Sequence, residues 1–430
     1  MDRNRINHCL YLIFDFDKIT FMPKPIDNVD KIYLKGLLEA VIKKANLSLS
    51  SKEDYKKLED EIINICGTRI SHSTLKRLFN GNEKNNPTKA ILDILTKFIG
   101  FPSWKHYLTN ARQYDKYLLN HSLSIIITTK TIDIEKVKDL CTKYGHLQEI
   151  YTFIFSVIRL ALEQKNKEFF TQLFSLPNLF NKTYHTEYDF YYLGQAICLA
   201  MREDETMAMS LAATYSNNPL AVQYCIESFV DEDYLNGYYG LWLDEYHKHK
   251  KDIQSLAFYY AMKYKDAFMN DRKAEATKWY KQIAALKPTN PYFVILEERC
   301  TAINLIEEAH TPYDKTDAIY KRLVNIAASL NGEYNGCPLY LLRYLLMAQK
   351  HDWMVAIVNL FDQYPNKTDE HWLEKQANAL QLYKAFAYHL QNQNATAINL
   401  FLKVDTHLFE PFMYRCMMRD YIAIKAAIAL

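Results

Sequence analysis

Glycine is scarce in this chain, with 10 among 430 residues, and proline accounts for only 12. Sheet folds reverse their strands through glycine- and Asn-Gly-type turns, so the shortage argues against hairpins, sandwiches and barrels. With 49% hydrophobic residues there is ample material for a core, and the class expected is all-α. Paired cysteines are missing as well. Cys9, Cys66, Cys141, Cys198, Cys225, Cys300, Cys337 and Cys416 stand singly, without a CxxC, and several fall inside apolar helical patterns. Buried reduced thiols and a cytoplasmic setting follow from that usage.

No apolar run reaches the length of a membrane span. The most apolar stretch near the start, CLYLIFDFDKITF (residues 9–21), is broken by Asp15 and Asp17 and has no small-residue cleavage site after it, so neither a signal peptide nor a membrane helix is expected. Met22 opens a plausible domain start, which makes the preceding residues an arm or an extension. The formal net charge of +2 excludes a globally basic nucleic-acid coat but leaves local patches open. Catalytic signatures are lacking: there is no Gly-rich phosphate loop, HExxH, GxSxG or spaced Cys/His set. His247 and His249 in HKHKKD sit at i and i+2, off a common helix face, and read as part of a solvated charge run. The chain is therefore expected to be no enzyme and to need no cofactor or metal.

What is present is a succession of helical patterns. Ile32, Leu34, Leu37, Leu38, Val41 and Ile42 follow helical spacing. Ser50 and Ser51 precede a second helix from Lys52, whose apolar stripe of Tyr55, Leu58, Ile62, Ile63 and Ile65 ends at Gly67. A third helix begins at Ser71 and stops at Asn80-Gly81, and Thr88 caps a fourth with a wide apolar face of Ile91, Leu92, Ile94, Leu95, Phe98 and Ile99. FPSWKHYL closes the unit through Trp104 and Tyr107. From about Gln113 onward, segments rich in Tyr, Phe, Ala and Leu alternate with brief polar breaks such as NNP (217–219), KPTNP (287–291) and YPNKTDE (364–370). A series of helix pairs explains that texture better than one bundle. The expected organisation is an N-terminal arm or extension at 1–27, a helical domain at 28–112 and helical repeats at 113–430.

ISHSTLKRLFNG followed by PTKAILDILTKFIGF resembles the recognition helix, turn and next core helix of the lambda-repressor-like helix-turn-helix class. The shared features are a serine at the helix start, Leu75 and Leu78 three apart with Lys76 and Arg77 between them, a terminal Asn-Gly, and a Pro-Thr start to an apolar helix. The resemblance implies that His72, Ser73 and Lys76 meet base edges and that Arg77 meets an edge or a phosphate, with Ser71 opening the helix and Arg69, Asn80, Asn82 and Lys84 flanking it along the phosphates. Between Arg69 and Asn110, seven Lys and Arg residues stand against Glu83 and Asp93, an excess of five positive charges in a nearly neutral chain.

LYKAFAYHLQNQNATAINLFLKV (382–404) places Ala385 and Tyr388 on one helix and Ala397, Phe401 and Val404 on the next, as a tetratricopeptide repeat does. RKAEATKWYKQIAALKPTNP (272–291), with Ala276, Tyr280, Ile283 and Pro288, is similar to the second helix of another. Together the two resemblances imply a right-handed α-solenoid of tetratricopeptide-like helix pairs behind a helix-turn-helix head. That order is similar to the bacterial transcriptional regulators whose repeats sense short peptides. The implied partners are double-stranded DNA, a peptide or protein ligand in the solenoid groove, and a second copy, because one short helix reads too few bases. The 33 tyrosines suit a binding groove, although most are expected to pack between helices. The alternative is a non-catalytic interaction scaffold whose N-terminal domain does not bind DNA.

Overall fold

The computed structural model describes residues 26–80, 87–286, 337–361, 370–409 and 411–428, and among them there are helices, turns and no strands. They fall into two compact units, Met1–Ala196 and Ile197–Leu430.

The first unit opens with α1 (Ile26–Ala45), α2 (Lys52–Cys66), α3 (His72–Phe79), α4 (Lys89–Ile99) and α5 (Trp104–Thr129). From α2 to α5 each start is fixed by a short polar side chain. Ser51 caps α2 in a reciprocal capping box with Asp54, Ser71 caps α3, Thr88 caps α4 and Ser103 caps α5. These oxygens satisfy N–H groups that a helix leaves without partners, an effect of about 1 kcal/mol per cap. At the other ends of α2 and α4, Gly67 (φ 65°) and Gly100 (φ 105°) take the left-handed conformation that a Cβ disfavours.

Tyr33, Leu37 and Val41 from α1, Leu58 and Ile62 from α2, Leu75 from α3, and Leu95 and Phe98 from α4 meet in one core. Leu75 is fully buried, which stabilises the seating of α3 by roughly 2 kcal/mol. The stripe on α2 is narrower than its sequence suggests. Ile63 is 37% exposed, because at about 100° per residue it rotates away from the face that Tyr55, Leu58 and Ile62 present to the core, and Ile65, in the last turn, is 53% exposed.

α5 runs without a break through position 112, where the sequence suggested a boundary. Its first turns pack on α1 and α4, and its later turns pack on α7 (Glu149–Glu163), which follows α6 (Ile134–Tyr144). The absence of a side chain at Gly36 lets the Tyr107 hydroxyl approach α1 and donate to the Tyr33 carbonyl at 3.5 Å. Tyr33 in turn bonds His146 Nε2 at 3.0 Å, tying α1 to the turn before α7. α8 (Lys167–Gln172) and α9 (Glu187–Glu203) complete this part of the chain, and the division between the units falls inside α9.

The second unit continues with α10 (Glu205–Ser210), α11 (Ala212–Asn217), α12 (Tyr238–His249), α13 (Ile253–Met269), α14 (Lys273–Ala284), α15 (Cys337–Met347), α16 (His351–Phe361), α17 (Glu370–Leu390), α18 (Asn394–Phe401) and α19 (Tyr414–Ile428). The pairs α13–α14, α15–α16 and α17–α18 are helical hairpins with the same turn, which also joins α7 to α8 in the first unit. In each, one residue is left-handed (Lys165, Asp271, Gln349 or Asn392), and the next N–H reaches back to the carbonyl five residues earlier. Examples are Arg272 to Ala267 at 2.8 Å and Gln393 to Tyr388 at 3.0 Å. This Schellman closure commonly uses glycine, and here it is made with charged and amide side chains.

Ala385, Ala397 and Phe401 are buried where α17 and α18 cross, and Ala276 and Ile283 are buried where α14 meets α13, as their spacing predicts. Pro288 lies outside the described residues. Tyr215, Tyr224, Tyr238, Tyr239, Tyr246, Tyr264 and Tyr383 are fully buried packing residues. α19 also meets a segment far from it in sequence: Phe412, just before it, packs on Phe229 with ring centres 5.8 Å apart, and the Arg415 N–H donates to Asp233 at 3.1 Å.

Candidate nucleic-acid interface and ligand cavity

α3 is anchored on its inner side by Leu75, with Leu78 and Phe79 partly buried beside it. Ser73, Lys76, Arg77 and Asn80 follow at i, i+3, i+4 and i+7, which is one helix face, and all four are exposed. The Arg77 guanidinium donates to the Thr74 hydroxyl at 3.4 Å, and among the described residues neither Lys76 nor Arg77 meets a carboxylate. Asn80 accepts from the Tyr55 hydroxyl at 3.1 Å, which pins the end of α3 to α2.

Three other expected site residues hold the helix in place. Ser71 is its cap. Glu59, buried on α2, accepts from Arg69 Nε at 2.5 Å, from the His72 backbone N–H at 2.9 Å and lies 3.1 Å from His72 Nδ1. Arg69 and His72 are thus clamped to α2 at the entry of α3. Asn82 and Lys84 lie outside the described residues.

In the second unit, a cavity of about 280 Å³ opens between the 232–236 segment, the end of α13 and the start of α19. Behind it lies a chain of buried charges. Glu232 pairs with Lys265 and, at 3.0 Å, with Arg343; Arg343 reaches Asp420 at 3.6 Å, and Asp420 accepts from the Tyr383 hydroxyl at 2.7 Å. Arg202 bridges Asp231 and Asp233 at 2.9 and 2.7 Å, stacked over the Tyr234 ring. Burial pushes the Asp231 carboxyl up to about 7, against the opposing pull of Arg202.

The chain matches no protein-family model, no curated protein and no solved structure.

Other motifs are absorbed by packing. His247, expected in a solvated run, stacks on Tyr259 with ring centres 4.0 Å apart, and burial lowers its pKa. No group of metal-ligating side chains occurs among the described residues, and no described helix is long and apolar enough to cross a membrane. Asp15 and Asp17 lie outside the described residues.

Glu59 is a site residue that its charge hides in the sequence, and its place four residues after Tyr55 and three before Ile62 is the signal for it. Its hydrogen bond from Arg69, then that from the His72 N–H, holds its carboxyl below the usual range. A depressed carboxylate supports the fold above its unfolded pKa of roughly 4.3 and loses that support as pH falls toward the folded value. Asp54 in the capping box is shifted the same way. Melting of the wild type between pH 6 and 3 should show the clamp weakening below about 4.3, and Glu59→Gln should flatten part of that dependence. Parallel curves for the two proteins would contradict a role for Glu59.

Proposed function

We propose that this protein is a DNA-binding transcriptional regulator whose helical-repeat half binds a peptide or protein ligand and controls the DNA-binding head. The observation that carries the reading is the exposed face of Ser73, Lys76, Arg77 and Asn80 on a helix seated by Leu75 and clamped by Glu59. A short helix held rigidly on one side and lined with donors on the other suits the major groove, where Lys and Arg read guanine. The α2–α3 pair is the helix-turn-helix of this reading, and the repeated hairpins support a right-handed solenoid of tetratricopeptide-like pairs behind it. Ligand binding in the repeats acts by changing the placement of two heads on DNA.

Two heads require a dimer, and α5 offers a face for it. Tyr114, Tyr117 and Ile125 are exposed at 62%, 63% and 39%, with His121 stacked on Tyr117, at a helical spacing that puts all four on one side. From Tyr117 to Thr129 the helix has no Asp, Glu, Lys or Arg. In an antiparallel pair, the bulky tyrosines of one copy lie against the Ser124, Ile125 and Thr128 end of the other, which makes the face self-complementary. Tyr117→Glu should weaken self-association on the order of 30-fold or more, read by sedimentation velocity at micromolar concentration. An unchanged sedimentation coefficient would remove α5 from the interface.

Selection of short genomic fragments by the full-length protein tests the function itself. A regulator enriches fragments that share paired half-sites about one helical turn, roughly 34 Å, apart. A scaffold enriches none over bulk competitor DNA.

A further inference from the structure

We propose that the cavity in the second unit is a receptor for the free carboxylate end of a short peptide. The inference rests on the peptide-sensing part of the function above and names the chemistry of that ligand.

The charges on the cavity wall are unequally compensated. Glu232 pairs with Lys265 and Arg343, Asp266 pairs with Arg272, and Asp233 shares Arg202 with Asp231. Arg415 and Arg419 make no such pair among the described residues. They stand at i and i+4 on α19, on the same side of the helix, and both line the cavity. The Arg415 guanidinium donates to the Tyr234 hydroxyl at 3.0 Å and packs on that ring, and Arg419 donates to the Cys416 sulfur at 3.4 Å. Neither guanidinium meets a carboxylate among the described residues. Guanidiniums on one side of a helix suit a carboxylate, which takes their N–H donors in paired hydrogen bonds.

A second observation points the same way. The Asp233 side chain is fully buried on the wall, and its Oδ1 has no hydrogen-bond partner, while Oδ2 takes Arg202 and the Arg415 N–H. A buried, unsatisfied carboxylate oxygen calls for an N–H donor. Asn270 gives its amide N–H to Asp266, leaving its amide oxygen as an acceptor, and Asn236 adds a further amide. The C-terminal residue of a peptide presents this combination: a carboxylate and, across its Cα, its own backbone N–H.

Leu235 and Met269 add an apolar surface for a side chain. At about 280 Å³ the space suits the last one or two residues of a peptide. An inorganic anion has no N–H for Asp233, and a simple cation would face both arginines. A free amino acid shares the carboxylate and an N–H donor, so the test must separate it from a peptide.

The test incubates the full-length protein with two pools of random pentapeptides, one with free carboxylates and one amidated, and measures the peptide retained on ultrafiltration by mass spectrometry. The expected result is at least tenfold greater retention of the free-acid pool, no displacement by a mixture of free amino acids, and loss of the preference in Arg415→Gln/Arg419→Gln. Arg159→Gln, an exposed site in the first unit, serves as the control that keeps it. Equal retention of the two pools, displacement by free amino acids, or an unaltered preference in the double variant overturns the carboxylate site while leaving peptide sensing in place. No retention of either pool by folded wild-type protein overturns both. The comparison of pools uses wild-type protein, so it stands even if the double variant folds poorly.

Discussion

Lys76→Ala/Arg77→Ala is expected to lower affinity for a selected duplex on the order of 100-fold, with circular dichroism and melting unchanged. Both side chains are exposed and neither supports the core, so the loss is one of binding. If Lys76 reads a base edge, its removal relaxes sequence preference at that position. If Arg77 meets a phosphate, its removal weakens all sequences alike and lowers the salt slope by about one. Competition against single-base variants of the duplex separates the two roles. Arg69→Ala and His72→Ala should act differently, lowering head stability together with affinity, because both side chains hold α3 to Glu59.

Glu232→Ala is expected to destabilise the second unit by about 3–5 kcal/mol, the usual cost of removing one member of a buried ion pair. Glu232 is 4% exposed, and its loss takes away the carboxylate that Lys265 and Arg343, both buried, share. Glu232→Gln keeps an acceptor for one donor and should cost less. Urea unfolding followed by tryptophan fluorescence reads the difference, since Trp242 and Trp353 are buried in this unit. A change under about 1 kcal/mol would show that water or rearrangement replaces the carboxylate readily.

The local architecture of the head is written in short-range signals. Ser71, Thr88 and Gly67 stand where the helix ends fall, because capping is decided by residues within one turn of each other. The buried stripe on α2 is narrower than its run of isoleucines, because hydrophobicity alone does not say which isoleucine faces inward. The hairpin turns were harder to see. Lys165 and Gln349 adopt positive φ without being glycine or asparagine, so the packing of the paired helices imposes the turn and no local residue announces it. The cavity was invisible for a different reason. Glu232, Asp266 and Arg415 belong to segments far apart in the chain, and only the return of α19 to the 229–234 segment brings them together. His247 shows the same limit, since its stacking partner Tyr259 lies on the neighbouring helix.

The most direct measurement is fluorescence anisotropy of the full-length protein on a selected duplex at about 50 and 200 mM salt, with the Lys76→Ala/Arg77→Ala variant alongside. The account predicts wild-type binding that falls steeply between the two salts and is lost in the variant. Binding of equal strength in wild type and variant, or none by folded wild type at either salt, with or without the peptide pools, would contradict it and leave the chain an interaction scaffold.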